Sequence, residues 1–361
     1  MTAPMRGFDV DLGTTATRWV GFASDAARIL AVALPKRILG TTRRPEVVLH
    51  AGQHKTGSTS LQAFILRYRA ELARHGVHVL RTAQSQAGDH HRLIRPASRG
   101  IRWKARQGLI GAEMVAAHPL RVLISSETAA EVILAGGGRQ LIGELRAAGA
   151  GRISLLLYLR SPYALANASY SEVVSGLEFG GPTFPEFLRN WNETAYARYD
   201  RFLELAEGDD ISLTVRPYHA EARRSMAADV LAALGVDFPF DEEPRLNASL
   251  GPVALEAIRH IAHELKPMAR ERRWLLSERL RAIGRTLAER PFWGMDAGHE
   301  LLIADAEQRT DDFARAVWGK GWRDVIGEER RPVNSFDPAD EDQKLLMEAT
   351  LRTMRAAAAG G

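Results

Sequence analysis

Lys55 stands in a run of small, hydrogen-bonding residues. The segment from Val47 to Gln62 reads VVLHAGQHKTGSTSLQ, with Gly52 and Gly57 on either side of the lysine and Thr56, Ser58, Thr59 and Ser60 around the second glycine. One full positive charge, several hydroxyl donors and glycines that let the backbone approach closely are the means of gripping a multiply charged anion of phosphate size. The usual nucleoside-triphosphate loop reads G-x-x-x-x-G-K-[ST], with the lysine after the second glycine and a metal-placing hydroxyl after the lysine. Here Lys55 precedes Gly57. That order changes which oxygens the lysine reaches, removes the Lys-Ser/Thr pair, and argues against an ordinary kinase or ATPase. A second cation of the same kind is Arg160, in LLLYLRSPYALANASY. Its planar fork matches two phosphate oxygens at once.

Such a loop works only where an element aims it. Val47–His50 is apolar and β-branched and reads as a strand; Ser58–His75 has Leu61, Phe64, Ile65, Tyr68 and Leu72 at helical spacing and closes on Gly76. A helix start offers free backbone N–H groups and the positive end of the dipole. Further strands are expected at Val77–Leu80, Leu120–Ser125, Ile153–Leu159 and Ile211–Arg216, with helices at Tyr163–Ser175, Pro185–Ala206 and Glu221–Leu234. Ala83–Gly111 reads as loop-rich and Gly136–Gly138 as a turn. Strands alternating with helices predict an α/β fold, three-layered and P-loop-like, with a mainly parallel sheet flanked by helices. A helical C-terminal region follows. Ligands of such sheets sit beyond the strand carboxyl ends, which gathers His50–Thr59, Ser125–Glu127 and Arg160 at one edge.

The segment His50–Gln62 resembles the 5′-phosphosulfate loop of sulfotransferases that use 3′-phosphoadenylyl sulfate. It is most similar to the bacterial and carbohydrate branch, whose loop reads like H-x-G-x-x-K-T-G-[ST]-T-x-x-Q. Arg160, Pro162 and Ser169 are similar to the element with which that family holds the 3′-phosphate. The family's serine usually follows the arginine by eight positions, whereas Ser169 follows by nine; Ser161, Asn167 or Ser171 are the substitutes. Arg245–Leu255, RLNASLGPVAL, and Val215–Phe238 extend the likeness, which covers roughly residues 45–330; Gly319–Arg323, GKGWR, is a weaker candidate for a 3′-phosphate clasp.

The resemblance implies sulfuryl transfer from 3′-phosphoadenylyl sulfate to a hydroxyl or amine, with adenosine 3′,5′-bisphosphate as product and no metal. Lys55 would face the bridging oxygen, and Gly52, Thr56, Gly57, Ser58, Thr59 and Ser60 would line the 5′ side. Relatives take their base from just after the second strand, which favours His90 or His91; Glu127 is the other candidate, with His50 behind them. The acceptor expected is a small molecule or saccharide, a carbohydrate or glycolipid by resemblance. The alternatives are a nucleotide-dependent kinase of P-loop type, or a non-catalytic nucleotide-binding protein on the same scaffold.

Composition sets outer bounds. The 361 residues are 45% hydrophobic and 25% charged, ordinary for a globular chain. They divide into an N-terminal extension (1–43), an α/β core (44–246) and a helical region (247–361). Phe8–Thr15, FDVDLGTT, is similar to the first phosphate loop of actin-like ATPases, but the match is short and lacks partners downstream. The chain has no cysteine, which excludes disulfides, thiolate metal sites and cysteine nucleophiles. A net charge of +4 suits an anionic ligand and is too mild to point to nucleic acid. Ile29–Leu34 is far shorter than the ~20 residues a spanning helix needs. With no signal peptide read, the chain is expected in the cytoplasm, with peripheral membrane contact left open. The arginines of Ala269–Arg290 read as a solvated face partnered by Glu271, Glu278 and Glu289, or else as a basic lip for an acidic acceptor or a membrane surface.

Overall fold

The computed structural model describes residues 44–53, 55–94, 101–177, 180–192, 198–208, 210–218, 226–241, 249–265, 267–327 and 331–359. The N-terminal extension with its Phe8–Thr15 segment, the first part of Arg245–Leu255 and the first part of Glu221–Leu234 lie outside these residues.

Strand β1 (Glu46–His50) leads into α1 (Ser58–Arg67) and α2 (Arg69–Arg74), then β2 (Val77–Val79), α3 (His91–Ile94) and α4 (Ile101–Ala117). Next come β3 (Arg121–Ser125), α5 (Glu127–Val132), a π-helical turn at Ile133–Gly137 and α6 (Gly138–Ala147). Strand β4 (Ile153–Arg160) is followed by α7 (Pro162–Ser175), α8 (Phe184–Asn192), α9 (Asp200–Ala206), β5 (Ile211–Tyr218) and α10 (Met226–Ala233). The C-terminal region is helical: α11 (Pro252–Glu264), α12 (Arg270–Arg285), α13 (Ala297–Leu302), α14 (Ala304–Trp318), α15 (Trp322–Ile326) and α16 (Glu341–Ala359).

The five strands form one all-parallel sheet in the order β2-β3-β1-β4-β5. Alternation along each strand sends side chains to two layers. Val47, Leu49, Ile153, Leu155 and Leu157 pack on one face, with Leu250, Ala254, Ile258 and Met354 of the C-terminal helices in the same cluster. Val48, Leu123, Leu156 and Tyr158 pack on the other, under Leu61, Phe64, Ile65, Val230 and Leu231. The fold is thus the expected three-layer α/β arrangement. The helices after residue 247 complete one of its two cores.

Three readings of the chain need correction. Most of Ala83–Gly111 is not loop: α3 and the long α4 lie there. Glu113 of α4 accepts from the backbone of Arg81 at 2.7 Å and of Thr82 at 2.9 Å, and pairs with His78 at 2.7 Å. The loop after β2 is thereby strapped to the helix. Pro185–Ala206 holds two helices rather than one, and the helix after Ser58 breaks at Tyr68. There the ring joins Phe64, Phe238 and Phe240, and the hydroxyl accepts from Asp241 N.

Strand order also identifies the crevice. The chain leaves β1 toward β2 on one side and leaves β4 toward β5 on the other, and β1 and β4 are neighbours. Adjacent strands with diverging connections open a cleft at their carboxyl ends, the habitual ligand position of such sheets. The loops at that point are the ones holding Lys55 and following Arg160.

Candidate functional site

The β1 exit is shaped by close approaches. Ala51 N makes a last bond to Leu156 O at 3.0 Å. A Cβ on Gly52 would lie 2.9 Å from Cε1 of His50, so only glycine fits over that ring. Lys55 and Gly57 are both left-handed, at φ 65° and 78°. The first intrahelical bond of α1 runs from Leu61 N to Gly57 O. The N–H groups of Ser58, Thr59 and Ser60 are therefore first-turn donors outside the helical ladder, and Gly57 gives no side-chain cap. The hydroxyl of Thr56 is used inside the loop, donating to Gln53 O at 2.6 Å. Ser58 is buried, Ser60 half-buried and Thr59 exposed.

Arg160 is the last residue of β4 and pairs in register with Tyr218 at the end of β5. Its guanidinium lies over the Tyr218 ring at 5.6 Å. Nη1 donates to the carbonyl of Lys55 at 2.8 Å, and the Arg160 backbone N donates to Gln53 Oε1 at 3.2 Å. Gln53 in turn donates to the buried hydroxyl of Tyr199. The loop after β1 is thus clamped to the β4 exit at two points, and the two cations expected to hold the ends of one nucleotide belong to a single bonded unit.

Helix α7 begins with Pro162 at its first turn, where a missing N–H costs nothing. Glu172 on this helix pairs with Lys55, Nζ to Oε1 3.0 Å. Ser169 lies one turn earlier, and both belong to the less buried side of the helix. Two of its substitutes are committed elsewhere. Asn167 bridges the Tyr163 carbonyl and Gly294 N, and Ser171 donates to Asn167 O at 3.0 Å. Ser161 is fully buried, and its hydroxyl has no hydrogen-bond partner among the described residues. The GKGWR segment is a structural tie: Arg323 bonds Tyr163 Oη and Glu307, and Trp322 is buried against the Tyr163 ring.

The β3 exit meets β1 through Ser126 N to His50 O at 3.0 Å and His50 Nδ1 to Ser125 Oγ at 2.9 Å. Burial pushes the His50 imidazole down to about 4, so the ring is neutral near pH 7. His90 is fully buried as well. Its Nε2 lies 2.7 Å from Leu80 O, and its Nδ1 accepts from Ser125 N at 3.2 Å. Burial lowers its proton affinity, and both nitrogens are occupied by backbone. His91 differs: it is part-exposed, with Nδ1 at 3.0 Å from Ser126 Oγ and 3.1 Å from Thr128 Oγ1. Among the described residues its Nε2 has one distant carboxylate, Asp89 at 3.9 Å. Glu127, half-buried, opens α5 between those two hydroxyl residues.

Buried polar atoms are nearly always satisfied by protein, water or ligand. Among those not satisfied by the described residues are His50 Nε2, Gln62 Nε2 and Ser161 Oγ; others belong to Arg69, Arg201, Arg216 and His299, in other segments. His50 and Gln62 bound the Lys55 motif and Ser161 follows Arg160, so these three fall within the two segments read as anion-binding. Reasoning from sequence missed Gln53, Glu172, Tyr199 and Tyr218. For Glu172 a signal existed, its spacing of one helical turn from Ser169.

Comparison of the chain with family models, with curated proteins and with solved structures finds no match.

Proposed function

We propose that this protein is a sulfotransferase that takes the sulfuryl group of 3′-phosphoadenylyl sulfate to a hydroxyl or amine, on a carbohydrate or glycolipid acceptor. The observation that carries the reading is the 2.8 Å bond from Arg160 Nη1 to the Lys55 carbonyl. It joins the exits of β4 and β1 at the switch point, so both cations stand at the one cleft. Lys55 and the N–H groups of Ser58, Thr59 and Ser60 are assigned to the 5′-phosphosulfate. Arg160, with Ser169 or Ser161, is assigned to the 3′-phosphate.

In the reaction the acceptor oxygen attacks sulfur in line. The S–O bond to the 5′-phosphate breaks, its electron pair stays on the departing bisphosphate, and the acceptor proton moves to Nε2 of His91. Lys55 offsets the charge growing on the bridging oxygen, and most of the acceleration comes from positioning and charge. His91 is favoured over His90 because, among the described residues, it alone of the pair keeps a ring nitrogen without a short bond. Glu127 stands beside it as a group that could orient the acceptor.

Adenosine 3′,5′-bisphosphate should raise the melting temperature of the protein, since a ligand bound by the native state alone stabilises it. Lys55→Ala should keep the fold and abolish transfer, and Arg160→Ala should weaken the bisphosphate far more than the acceptor. A shift with ATP and Mg²⁺ but none with the bisphosphate would replace this reading by the kinase one.

A further inference from the structure

Helix α12 reads RERRWLLSERLRAIGR. One side is fixed to the molecule: Leu276 and Leu280 are buried, Ser277 Oγ donates to Ser175 O at 2.6 Å, and Arg281 Nε donates to Ser175 Oγ at 3.1 Å. The other side leaves Trp274 62% and Leu275 52% exposed, a large indole and a leucine consecutive in the chain. Between this side and the end of α16 runs a groove of about 300 Å³, with Leu265, Met268, Leu275 and Ala357 along it and Arg272 and Arg279 at its edge.

The charges around the groove are unusual for this surface. Arg281, Arg259 and Arg355 each have a carboxylate, Glu278 at 2.9 Å, Glu256 at 2.6 Å and Glu264 respectively. Arg272 and Arg279 make no ion pair or hydrogen bond among the described residues. Among the described residues, Glu278 alone of the carboxylates expected to neutralise the helix pairs with it; Glu271 is exposed and forms no ion pair, and Glu289 caps α11, accepting from Val253 N at 2.9 Å and Ala254 N at 3.0 Å.

We propose that this face docks on a lipid bilayer containing anionic phospholipids. Two uncompensated guanidinium groups suit phosphate headgroups, and an exposed indole with an adjacent leucine suits the boundary between headgroups and acyl chains. The apolar groove takes the first carbons of a lipid chain. A second copy of the protein is a poor occupant, because a two-fold contact would set the same arginines against each other. The helix is pinned to Ser175, one turn past Glu172. The proposal does not depend on which nucleotide the β1 loop binds.

The test is co-sedimentation of the full chain with vesicles of phosphatidylcholine alone or of phosphatidylcholine with phosphatidylglycerol. Binding is expected only to the mixed vesicles, falling as salt rises. Each arginine near an anionic surface is worth about fivefold in partitioning, so R272Q with R279Q together should lower binding about 25-fold. W274S should weaken binding while leaving its salt dependence in place. Melting temperature and the response to adenosine 3′,5′-bisphosphate, read on the same variants, show that they fold. Absent binding, equal binding to both vesicle types, full binding by the arginine double variant, or a dimer in light scattering that W274S disrupts would each overturn the proposal.

Discussion

Replacing Glu172 by glutamine is the sharpest probe of the site. The carboxylate holds Lys55 at 3.0 Å, and the two side chains keep 43% and 34% of their surface in water. A pair so exposed contributes only about 0.2–1 kcal/mol, after screening and the entropy of holding two long chains. An incoming phosphosulfate or phosphate must draw Lys55 away from this partner and must then lie near the carboxylate. Both effects oppose binding, so Glu172→Gln should tighten adenosine 3′,5′-bisphosphate by about 1.5- to 5-fold at low salt. The gain should shrink as ionic strength rises, because the charges concerned are solvent-accessible. The glutamine keeps the shape of the side chain, so the melting temperature without ligand should change little. Calorimetric titration of the two proteins at low and high salt measures both quantities. A dissociation constant that is unchanged or weaker in the variant would refute the reasoning. It would mean that Lys55 does not leave Glu172 when the anion binds, or that the anion binds elsewhere.

The two adjacent histidines should separate cleanly. His90→Gln breaks buried bonds to Leu80 O and Ser125 N and should cost about 1–3 kcal/mol of stability in denaturant titrations. His91→Gln should leave stability within about 1 kcal/mol but slow transfer by about 10²–10⁴-fold; the reverse pattern would exchange their roles. His50 should give a pH signature. Its native value near 4 lies below the ordinary 6.5, so the unfolded chain takes up a proton first as pH falls. The contribution is complete above about pH 6.5 and is lost toward pH 4, amounting to roughly 3 kcal/mol. Denaturant unfolding at pH 7 and pH 5 should therefore differ more in the native protein than in His50→Gln, and equal differences would contradict the assignment.

The sheet was legible because buried parallel strands are continuous apolar runs, and VVLH, RVLIS and ISLLLYL are such runs. The Lys55 loop was legible because glycine, lysine and hydroxyl residues have few other reasons to follow a strand in that order. Helix α4 was not, since Ile101–Ala117 carries Gly108 and Gly111 and interleaved polar residues. Its helical state rests on contacts remote in sequence. Gly111 passes so close to the end of α6 that a Cβ would lie 2.8 Å from Ala148 O, and Glu113 straps down Arg81 and Thr82. The adjacency His90-His91 looked like one feature because sequence does not record phase. The start of α3 turns one ring into the core and leaves the other at the β3 exit. Glu172 was missed for the same reason: its meeting with Lys55 depends on how α7 is rotated against β1.

The left-handed Lys55 joins these observations. For a residue with a side chain that conformation costs of order 1 kcal/mol, and it persists only where neighbours enforce it. The enforcers are the Arg160 guanidinium on the Lys55 carbonyl and Gln53, which ties the preceding turn to the Arg160 backbone, to Thr56 and to Tyr199. The lysine at one end of the proposed nucleotide therefore owes its placement to the arginine at the other end. An isolated strand–loop–helix of the same sequence would lack that constraint, and its lysine would be a solvated side chain on a Gly/Ser turn. The all-parallel order that sets β4 beside β1 is what makes the motif a site. It also means that removing the Arg160 side chain withdraws a phosphate contact and slackens the loop together, so binding should fall by more than one charge-assisted bond accounts for.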